Sequence, residues 1–345
     1  MRNWCDLLIG CAKSTPERCS GNCLNAAPEQ RSGVPYTLTM KNLAILLASF
    51  ILGAIGCKPA EKAVTYTPET IVPTEKSLVW KISGKGLKKP SYLYGTIHMI
   101  PKDEFELPGA IRESLDNVRR VTFEIDMKDM TNFRSQLSLL TKSFMAGGKT
   151  LKDLLNAEDY KLVKDKMAEK GLPGGMFERI KPMFLSTLFG SDEGDASQGN
   201  VTSVEMELYK MSKNRRLESA GLETAAYQMS VFDSIPYAVQ AKMLVDGLRS
   251  VDTTGTEEGQ LDQMLRLYRE QDISAMQSMI GEEEGMGQYE DLLLKKRNQN
   301  WIPVMGKMMA EKPTLFAVGA GHLGGKFGVV ALLRKEGYRV EVARE

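Results

Sequence analysis

Histidine and cysteine are scarce in this sequence, and their scarcity limits the chemistry that the chain can perform. Only two histidines occur among 345 residues, His98 and His322, and none of the five cysteines lies beyond Cys57. The body of the chain therefore holds no disulfide, no thiolate metal site and no cysteine nucleophile. Charge of one sign is also lacking, because 45 Lys+Arg and 44 Asp+Glu leave a net charge of +1. This balance excludes a strongly basic arm, and no nucleic-acid partner is expected.

Several catalytic motifs are missing as well. The sequence contains no H-E-x-x-H, no G-x-S-x-G and no G-x-x-x-x-G-K-[ST]. One G-x-G-x-x-G is present, from Gly319 to Gly324, between a predicted strand and a predicted helix, and Glu341 follows about 20 residues later, as in dinucleotide-binding units. We interpret this segment as a structural unit and expect no nicotinamide cofactor, because the N-terminal region is expected to direct the domain out of the cytosol.

The N-terminal region contains an uncharged, apolar run from Leu43 to Gly56. The run is shorter than the about 20 residues that a membrane span needs, but it fits a signal peptide with Lys41 as the positive flank. It leads into Ala54-Ile55-Gly56-Cys57, which resembles the lipobox of bacterial lipoproteins, whose cysteine is acylated. An ordinary signal peptide or a short anchor helix is the alternative interpretation.

These features divide the chain into four predicted parts. They are an upstream extension (residues 1–39), a lipoprotein signal peptide (40–57), a flexible tether rich in Pro, Thr and Glu (58–76) and a folded domain (77–345). Met40 is the expected start of translation, because a start codon placed too early explains the extension. Lipidation of Cys57 would anchor the domain to a membrane. Lys58 in place of an aspartate favours the outer membrane of a bacterial cell envelope.

The folded domain shows strand patterns at both ends and helical patterns between them. Strands are predicted at 78–82, 91–98, 120–126, 217–220, 314–318 and 338–342, and helices at 108–117, within 127–190, at 204–213, within 224–311 and at 326–335. Within the helical middle, Leu151–Gly171 is the clearest single helix. This order predicts an α/β domain whose sheet comes from the N- and C-terminal segments and is interrupted by a large helical insertion.

The two histidines share one local context. His98 ends Gly95-Thr96-Ile97-His98 and His322 ends Gly319-Ala320-Gly321-His322, so each follows a predicted strand and a glycine three residues earlier. In open α/β sheets, ligands bind at the carboxyl ends of strands, and glycine lets the backbone approach a ligand closely. A single such histidine is more often a satisfied surface or core residue. The matching pair predicts one shared functional site.

Glu124 is the third candidate for that site. It lies between Phe123 and Ile125 on a strand that looks buried on both faces, where a carboxylate is costly unless it is paired or bound to a metal. Two histidines and a carboxylate form a common ligand set for a hydrolytic metal ion. A buried ion pair with an arginine is the alternative.

Three more residues are candidates for supporting roles. Glu223 follows the short strand at 217–220 and is a candidate fourth ligand or general base, or else a charge favoured at a helix N-terminus. Arg297 and Asn298 open a helix that also holds Trp301. Arg297 can hold a substrate carboxylate or the charge of Glu124, and Asn298 is a candidate for substrate binding.

Together, five motifs resemble the TraB/GumN family, which includes the Tiki-like metalloproteases. They are Tyr92-Leu93-Tyr94-Gly95-Thr96-Ile97-His98-Met99, Phe123-Glu124-Ile125-Asp126, Gly221-Leu222-Glu223-Thr224, Arg297-Asn298 and Phe316-Ala317-Val318-Gly319-Ala320-Gly321-His322-Leu323-Gly324. The resemblance implies a mixed sheet with helices, related to the erythromycin-esterase and ChaN-like folds. It also implies a divalent-metal site at His98, Glu124 and His322, with manganese or cobalt favoured over zinc.

These observations lead to one main functional hypothesis. The chain is expected to be a lipid-anchored envelope hydrolase that depends on a metal and acts on a peptide or protein, with Glu124, Glu223 and Arg297 as its catalytic side chains. The alternatives are a non-catalytic lipoprotein that binds haem, metal or a peptide, and a structural lipoprotein whose motifs are vestigial.

Overall fold

A computed structural model describes residues 65–172, 174–190, 201–253, 260–282 and 287–344. The chain divides into Met1–Ala60 and Glu61–Glu345, and all described residues belong to the second unit. The predicted upstream extension, the signal peptide and the lipidation site at Cys57 lie outside the described residues. Within the described ranges, no helix combines the length and apolar character that crossing a bilayer requires.

The domain is built on a six-stranded mixed sheet. The described residues contain eight strands, of which β3 and β5 form a separate pair: β1 (Val79–Ser83), β2 (Ser91–Thr96), β3 (Ile100–Pro101), β4 (Arg120–Ile125), β5 (Val201–Thr202), β6 (Glu218–Glu223), β7 (Thr314–Gly319) and β8 (Arg339–Val342). The main sheet has the order β6-β4-β7-β2-β1-β8. Its first four strands are parallel, and β1 runs antiparallel to both β2 and β8. The predicted mixed sheet is therefore confirmed, and β6 joins it from within the helical middle of the domain.

The parallel strands all end at the same edge of the sheet. Thr96 at the end of β2 pairs with Gly319 at the end of β7, and Ile125 of β4 pairs with Glu223 at the end of β6. β7 occupies a central position and is buried from Thr314 through Val318, as expected for a parallel strand covered on both faces. The loops that follow β2 and β7 are thereby neighbours.

Helices cover the sheet and form the predicted insertion. They are α1 (Pro68–Ile71), α2 (Gly109–Asn117), α3 (Met127–Thr131), α4 (Phe133–Lys142), α5 (Ala157–Glu169), α6 (Pro182–Gly190), α7 (Val204–Asn214), α8 (Ala225–Asp233), α9 (Tyr237–Thr253), α10 (Gln260–Arg269), α11 (Ile273–Glu282), α12 (Lys296–Glu311) and α13 (Val329–Lys335). A π-helical segment, Asp291–Lys295, runs directly into α12. The single helix predicted over Leu151–Gly171 is instead a 3₁₀ turn at Leu151–Asp153 followed by α5, because Asn156 caps a new helix through the backbone N–H of Asp159.

The insertion has an apolar core of its own. The main core surrounds the sheet and includes the fully buried Trp80, Phe316 and Trp301. A second cluster lies among the helices, where Leu151 and Leu185 are fully buried. Helices that bury their apolar faces against one another can persist as a separate layer beside a sheet. A third, smaller cluster includes the fully buried Ile235, so the helical part of the chain holds apolar clusters separate from the sheet core.

One pair of short strands escaped the sequence patterns. β3 and β5 pair in antiparallel fashion through Ile100–Thr202 and Pro101–Val201. Two residues on each side carry too little periodicity to be recognised. The pair joins the loop that carries His98 to the residues that precede α7.

The C-terminal part of the predicted tether packs against the domain. The Tyr66 hydroxyl accepts a hydrogen bond from the Val340 backbone N–H (2.9 Å). The buried guanidinium of Arg334 donates to the Thr70 carbonyl oxygen and the Glu75 carboxylate, both at 3.1 Å. Composition alone indicated flexibility across 58–76. It carries no information on contacts with residues distant in the sequence, such as the hydrogen bonds that Arg334 donates to this segment. Within the described part of the tether, contacts with the domain are therefore present from Tyr66 onward.

Candidate active site at the carboxyl edge of the sheet

Glu124 lies near the end of β4 and is held by groups from three other elements. Its Oε1 accepts a hydrogen bond from the Gly319 backbone N–H (2.9 Å). Its Oε2 accepts hydrogen bonds from Arg297 Nη2 (2.6 Å) and Gln228 Nε2 (3.1 Å). The carboxylate is largely buried, so it needs these charged and polar partners to remain ionised.

Arg297 joins Glu124 to a second carboxylate. The guanidinium is buried, and it also contacts Glu223 Oε1 through Nε (2.9 Å) and Nη2 (2.7 Å). Glu223 Oε2 accepts a hydrogen bond from Trp301 Nε1 (2.9 Å), and the guanidinium stacks on that ring with a separation of 4.9 Å to its centroid. One oxygen of Glu223 therefore holds Arg297, and the other holds the Trp301 ring on which the guanidinium stacks. The strand β6 extends beyond the predicted 217–220, so Glu223 is its last residue and does not follow it.

The hydrogen bonds of Asn298 determine the tautomer of His322. Asn298 Nδ2 donates to the carbonyl oxygens of His322 (3.2 Å) and Phe327 (3.0 Å), so its Oδ1 is the atom that faces His322 Nδ1 at 2.7 Å. An amide oxygen only accepts, and Nδ1 must therefore carry the hydrogen. The lone pair is left on Nε2, which lies 3.3 Å from Arg297 Nη1 and 3.7 Å from Glu124 Oε1.

Burial and charge set the protonation states in this cluster. Burial lowers the pKa of His322 to about 3, with the Arg297 charge acting in the same direction and Glu124 against it. For Glu124 burial acts to raise the pKa, but the charges of His322, Arg297 and His98 and the Gly319 N–H prevail and lower it to about 2. At neutral pH, His322 is neutral while Glu124 and Arg297 are charged.

We expect His322 to make the protein less stable in mild acid. The unfolded chain binds a proton on this ring near pH 6.5, whereas the folded chain does so only near pH 3. Since the unfolded state binds more protons in this window, the free energy of unfolding falls as the pH falls, by up to about 1.4 kcal/mol per pH unit. Urea unfolding from pH 6.5 to roughly 5, above the ordinary pKa of 4.5 for Glu124, should show a steeper loss for wild type than for His322→Asn or His322→Gln. Equal slopes would contradict the buried neutral ring.

His98 occupies the neighbouring loop but has a different partner. Its Nδ1 lies 3.0 Å from Glu205 Oε1, and 81% of its side chain is exposed, against 8% for His322. The hydrogen bond to Glu205 raises the pKa of His98 above its usual value. The structure thus brings Glu124, Glu223, Arg297, Asn298 and His322 into one network, and it places His98 at the same edge of the sheet in a separate pair with Glu205.

The donor set is in part suited to a divalent cation. Among the described residues, no group of three or more His, Cys, Asp or Glu side chains is arranged to hold a metal ion. Two predicted ligand atoms do face each other, since 3.7 Å separates His322 Nε2 from Glu124 Oε1, a span that one ion at about 2.0–2.2 Å from each can bridge. Arg297 neutralises only one of the two carboxylates, Glu124 and Glu223, so one negative charge remains for a cation.

Gly324, the last glycine of the G-x-G-x-x-G segment, serves close packing. A side chain at Gly324 would meet the backbone of Ile273 and Ser274 at the start of α11. After the 3₁₀ turn Ala320–His322, helix α13 begins only at Val329, later than the predicted 326. The observed role of Gly324 is therefore contact between the loop and α11.

Sequence patterns missed two side chains of the site. Gln228 on α8 donates to Glu124, and Glu205 on α7 contacts His98. Neither residue stands in a motif with its partner. Their one local signal was position, because each lies near the start of a helix that follows a β-strand. Glu205 is two residues after the N-cap Ser203, and Gln228 is four residues after the N-cap Thr224.

Comparisons with known proteins agree with the motifs. A model of the TraB/PrgY/gumN family matches residues 78–342. Metalloprotease TIKI1 of zebrafish (Danio rerio) is 22% identical, with 83% of this chain and 65% of that protein covered. Metalloprotease TIKI2 of the same organism is also 22% identical, covering 77% of this chain and 60% of its own length. This chain thus spans less than two thirds of these relatives, and no solved structure matches.

The family match extends across every element that builds the site. Residues 78–342 include the two glycine–histidine loops, Glu124 on β4, Glu223 on β6 and the arginine of α12. This chain belongs to the TraB/PrgY/gumN family.

Proposed function

We propose that this protein is a metal-dependent hydrolase that acts on peptides or proteins. The observation that carries the proposal is the short distance between two possible ligand atoms in a largely buried site. His322 Nε2, which is unprotonated, lies 3.7 Å from Glu124 Oε1. The similarity to two metalloproteases supports the same chemistry. His98, exposed on the neighbouring loop, completes the ligand set in this proposal.

A divalent ion held by His98, Glu124 and His322 would supply Lewis-acid polarisation of a carbonyl group. Manganese and cobalt are the ions proposed first, because the resemblance to Tiki-like proteins favours them. Arg297 keeps Glu124 ionised, and its positive charge beside that carboxylate would favour a developing negative charge. These functions require no movement of Glu124 away from the Gly319 N–H.

Glu223 and Asn298 act in this proposal by holding other groups. Both oxygens of Glu223 are engaged by Arg297 and Trp301, which favours an orienting role over that of a general base. Asn298 is 2% exposed and uses its amide on His322 and Phe327, which favours alignment of the ring over contact with substrate. Outer partners of this kind typically change metal affinity or activity 10- to 100-fold.

The cellular setting is part of the proposal. Cys57 would carry the lipid anchor, and the domain would lie in a bacterial cell envelope, at the outer membrane. The apolar run before Cys57 and its lipobox-like end support this placement. Mass spectrometry of the N-terminal peptide of the mature protein tests it, since an acylated Cys57 is expected and a free thiol would contradict it.

The metal site is tested by removing each histidine from the full-length chain. Wild type, His98→Ala and His322→Ala are dialysed against a chelator, and binding of Mn(II), Co(II) and Zn(II) is measured by calorimetry. We expect each alanine variant to bind Mn(II) or Co(II) at least about 100-fold more weakly, since losing a ligand should cost no less than losing an outer partner. A peptide library should be cleaved by wild type only after metal is restored.

Glu207→Gln is the matched control for these variants. Glu207 lies on α7 and contacts Thr202 and Lys210, so its variant should bind metal and cleave as wild type does. Equal metal binding and equal cleavage by wild type and both histidine variants would overturn the proposal. Retained metal without any cleavage would favour the non-catalytic binding protein instead.

A further inference from the structure

We propose that Glu205 is the positioning residue of His98, holding the ring through Nδ1 so that Nε2 is the atom presented to the site. The inference rests on the proposed function for what His98 does there, but its geometry is independent of any metal. Glu205 lies on α7, outside the sequence motifs that identified the site. In the structure its carboxylate contacts Thr96 and His98 at the end of β2 and in the loop that follows.

The Glu205 carboxylate is held in place by two hydroxyl groups. Its Oε1 accepts a hydrogen bond from Thr96 Oγ1 (2.8 Å) and its Oε2 accepts one from Ser203 Oγ (2.9 Å). Only 12% of the Glu205 side chain is exposed. Thr96 is the last residue of β2 and Ser203 is the N-cap of α7, so two elements orient the carboxylate before it meets His98.

An oriented carboxylate determines which nitrogen of His98 carries the hydrogen. An ionised carboxylate only accepts hydrogen bonds, so the Nδ1 that lies 3.0 Å from Glu205 Oε1 must be the donor. The lone pair of the neutral ring is then on Nε2. A glutamate side chain is ordinarily ionised at neutral pH and above, so the carboxylate acts as an acceptor there.

The two histidines are thereby held in the same way by different chemistry. Asn298 fixes Nδ1–H of His322 from within the core, and Glu205 does so for His98 at the surface. A ligating imidazole commonly donates its second N–H to a carboxylate or carbonyl, which fixes its tautomer and orientation. His98 is mostly exposed and has little packing to hold it, so its orientation depends more heavily on Glu205.

Imidazole NMR tests the inference directly, because two histidines give two sets of ring signals. The full-length chain is labelled with ¹⁵N-histidine and examined without metal at the alkaline end of a pH series, where both rings are neutral. His98→Gln assigns the signals. We expect wild-type His98 in the Nδ1–H form, and in Glu205→Ala we expect loss of the Nδ1–H preference while the His322 signals stay in place.

Glu207→Gln is again the matched control. It removes a carboxylate from the same first turn of α7, where Glu207 bonds Thr202 and Lys210 rather than His98. The inference predicts unchanged His98 signals in this variant. Equal shifts of the His98 signals in the Glu205 and Glu207 variants would overturn the inference, because they would show that any carboxylate in the first turn of α7 has the same effect. An Nε2–H form of His98 in wild type would overturn it without any variant.

Metal titration separates this inference from the proposed function. Mn(II) should bind Glu205→Ala about 10- to 100-fold more weakly than wild type, as for other outer partners. If wild type binds none of Mn(II), Co(II) and Zn(II), the proposed function fails, while the metal-free ring signals still decide the role of Glu205. Wild-type Mn(II) affinity in a Glu205→Ala variant with altered ring signals would overturn the link between this residue and the metal site.

Discussion

Arg297→Met should lower the free energy of unfolding by about 3–5 kcal/mol, because it leaves two buried carboxylates without their cation. Methionine keeps much of the arginine's volume, so the loss measures charge more than space. Glu124 loses its 2.6 Å contact, and Glu223 loses both contacts with the guanidinium. Urea unfolding followed by tryptophan fluorescence measures the change, with Trp301 directly in contact with the altered site.

Two further variants determine the origin of that loss. Arg297→Met combined with Glu223→Gln removes one of the two uncompensated charges and should recover part of the stability. Arg112→Met is the surface control, since its ion pair with Glu106 is exposed and long (3.7 Å), and such pairs contribute about 0–1 kcal/mol. A stability of Arg297→Met within about 0.5 kcal/mol of wild type would show that the guanidinium does not hold the cluster.

Gly324→Ala should cost about 3 kcal/mol, near the upper end for added volume in a packed site. The new methyl group would lie 2.8 Å from the Ile273 carbonyl carbon and 3.0 Å from Ser274 Cα. These are backbone atoms at the start of α11, so relief requires the helix or the His322 loop to shift. Thermal or urea unfolding measures the loss, and Mn(II) binding reports whether the loop has moved.

Gly247→Ala provides the contrast for this substitution. Gly247 lies within α9, and a Cβ there would meet nothing within 4 Å. Alanine in a helix interior is favoured over glycine by about 1 kcal/mol, so this variant should be slightly more stable than wild type. If Gly324→Ala behaves like Gly247→Ala, the close contact with α11 is not what requires glycine in the G-x-G-x-x-G segment.

Much of the fold followed from local patterns in the sequence. β7 is a short, nearly continuous apolar run, which is how a strand buried on both faces appears. The two-residue pairing of β3 with β5 was invisible because it has no period. The packing of Tyr66 onto β8 was also missed. Tyr66 and Val340 are 274 residues apart in the sequence, and composition carries no information on such distant contacts.

The site divides in a similar way. His98, Glu124 and His322 were identified by residue type and by position near predicted strand ends, and the structure places all three at one edge. The role of Arg297 as partner of Glu124 was one of two alternatives, and its 2.6 Å contact shows the pairing. Glu205 was not identified, because it is 109 residues away from Thr96 in the sequence and no motif connects the two residues.

Sequence alone determined the inventory of reactive groups: two histidines, each three residues after a glycine, and a carboxylate on a strand too apolar to carry it unpaired. Tertiary structure decided which groups meet and in what state. It left His322 neutral by burying it beside Arg297, and it paired His98 with a carboxylate on a distant helix. The reason is physical, since protonation and hydrogen bonding depend on distance and burial, which parallel strand pairing establishes between residues far apart in the chain.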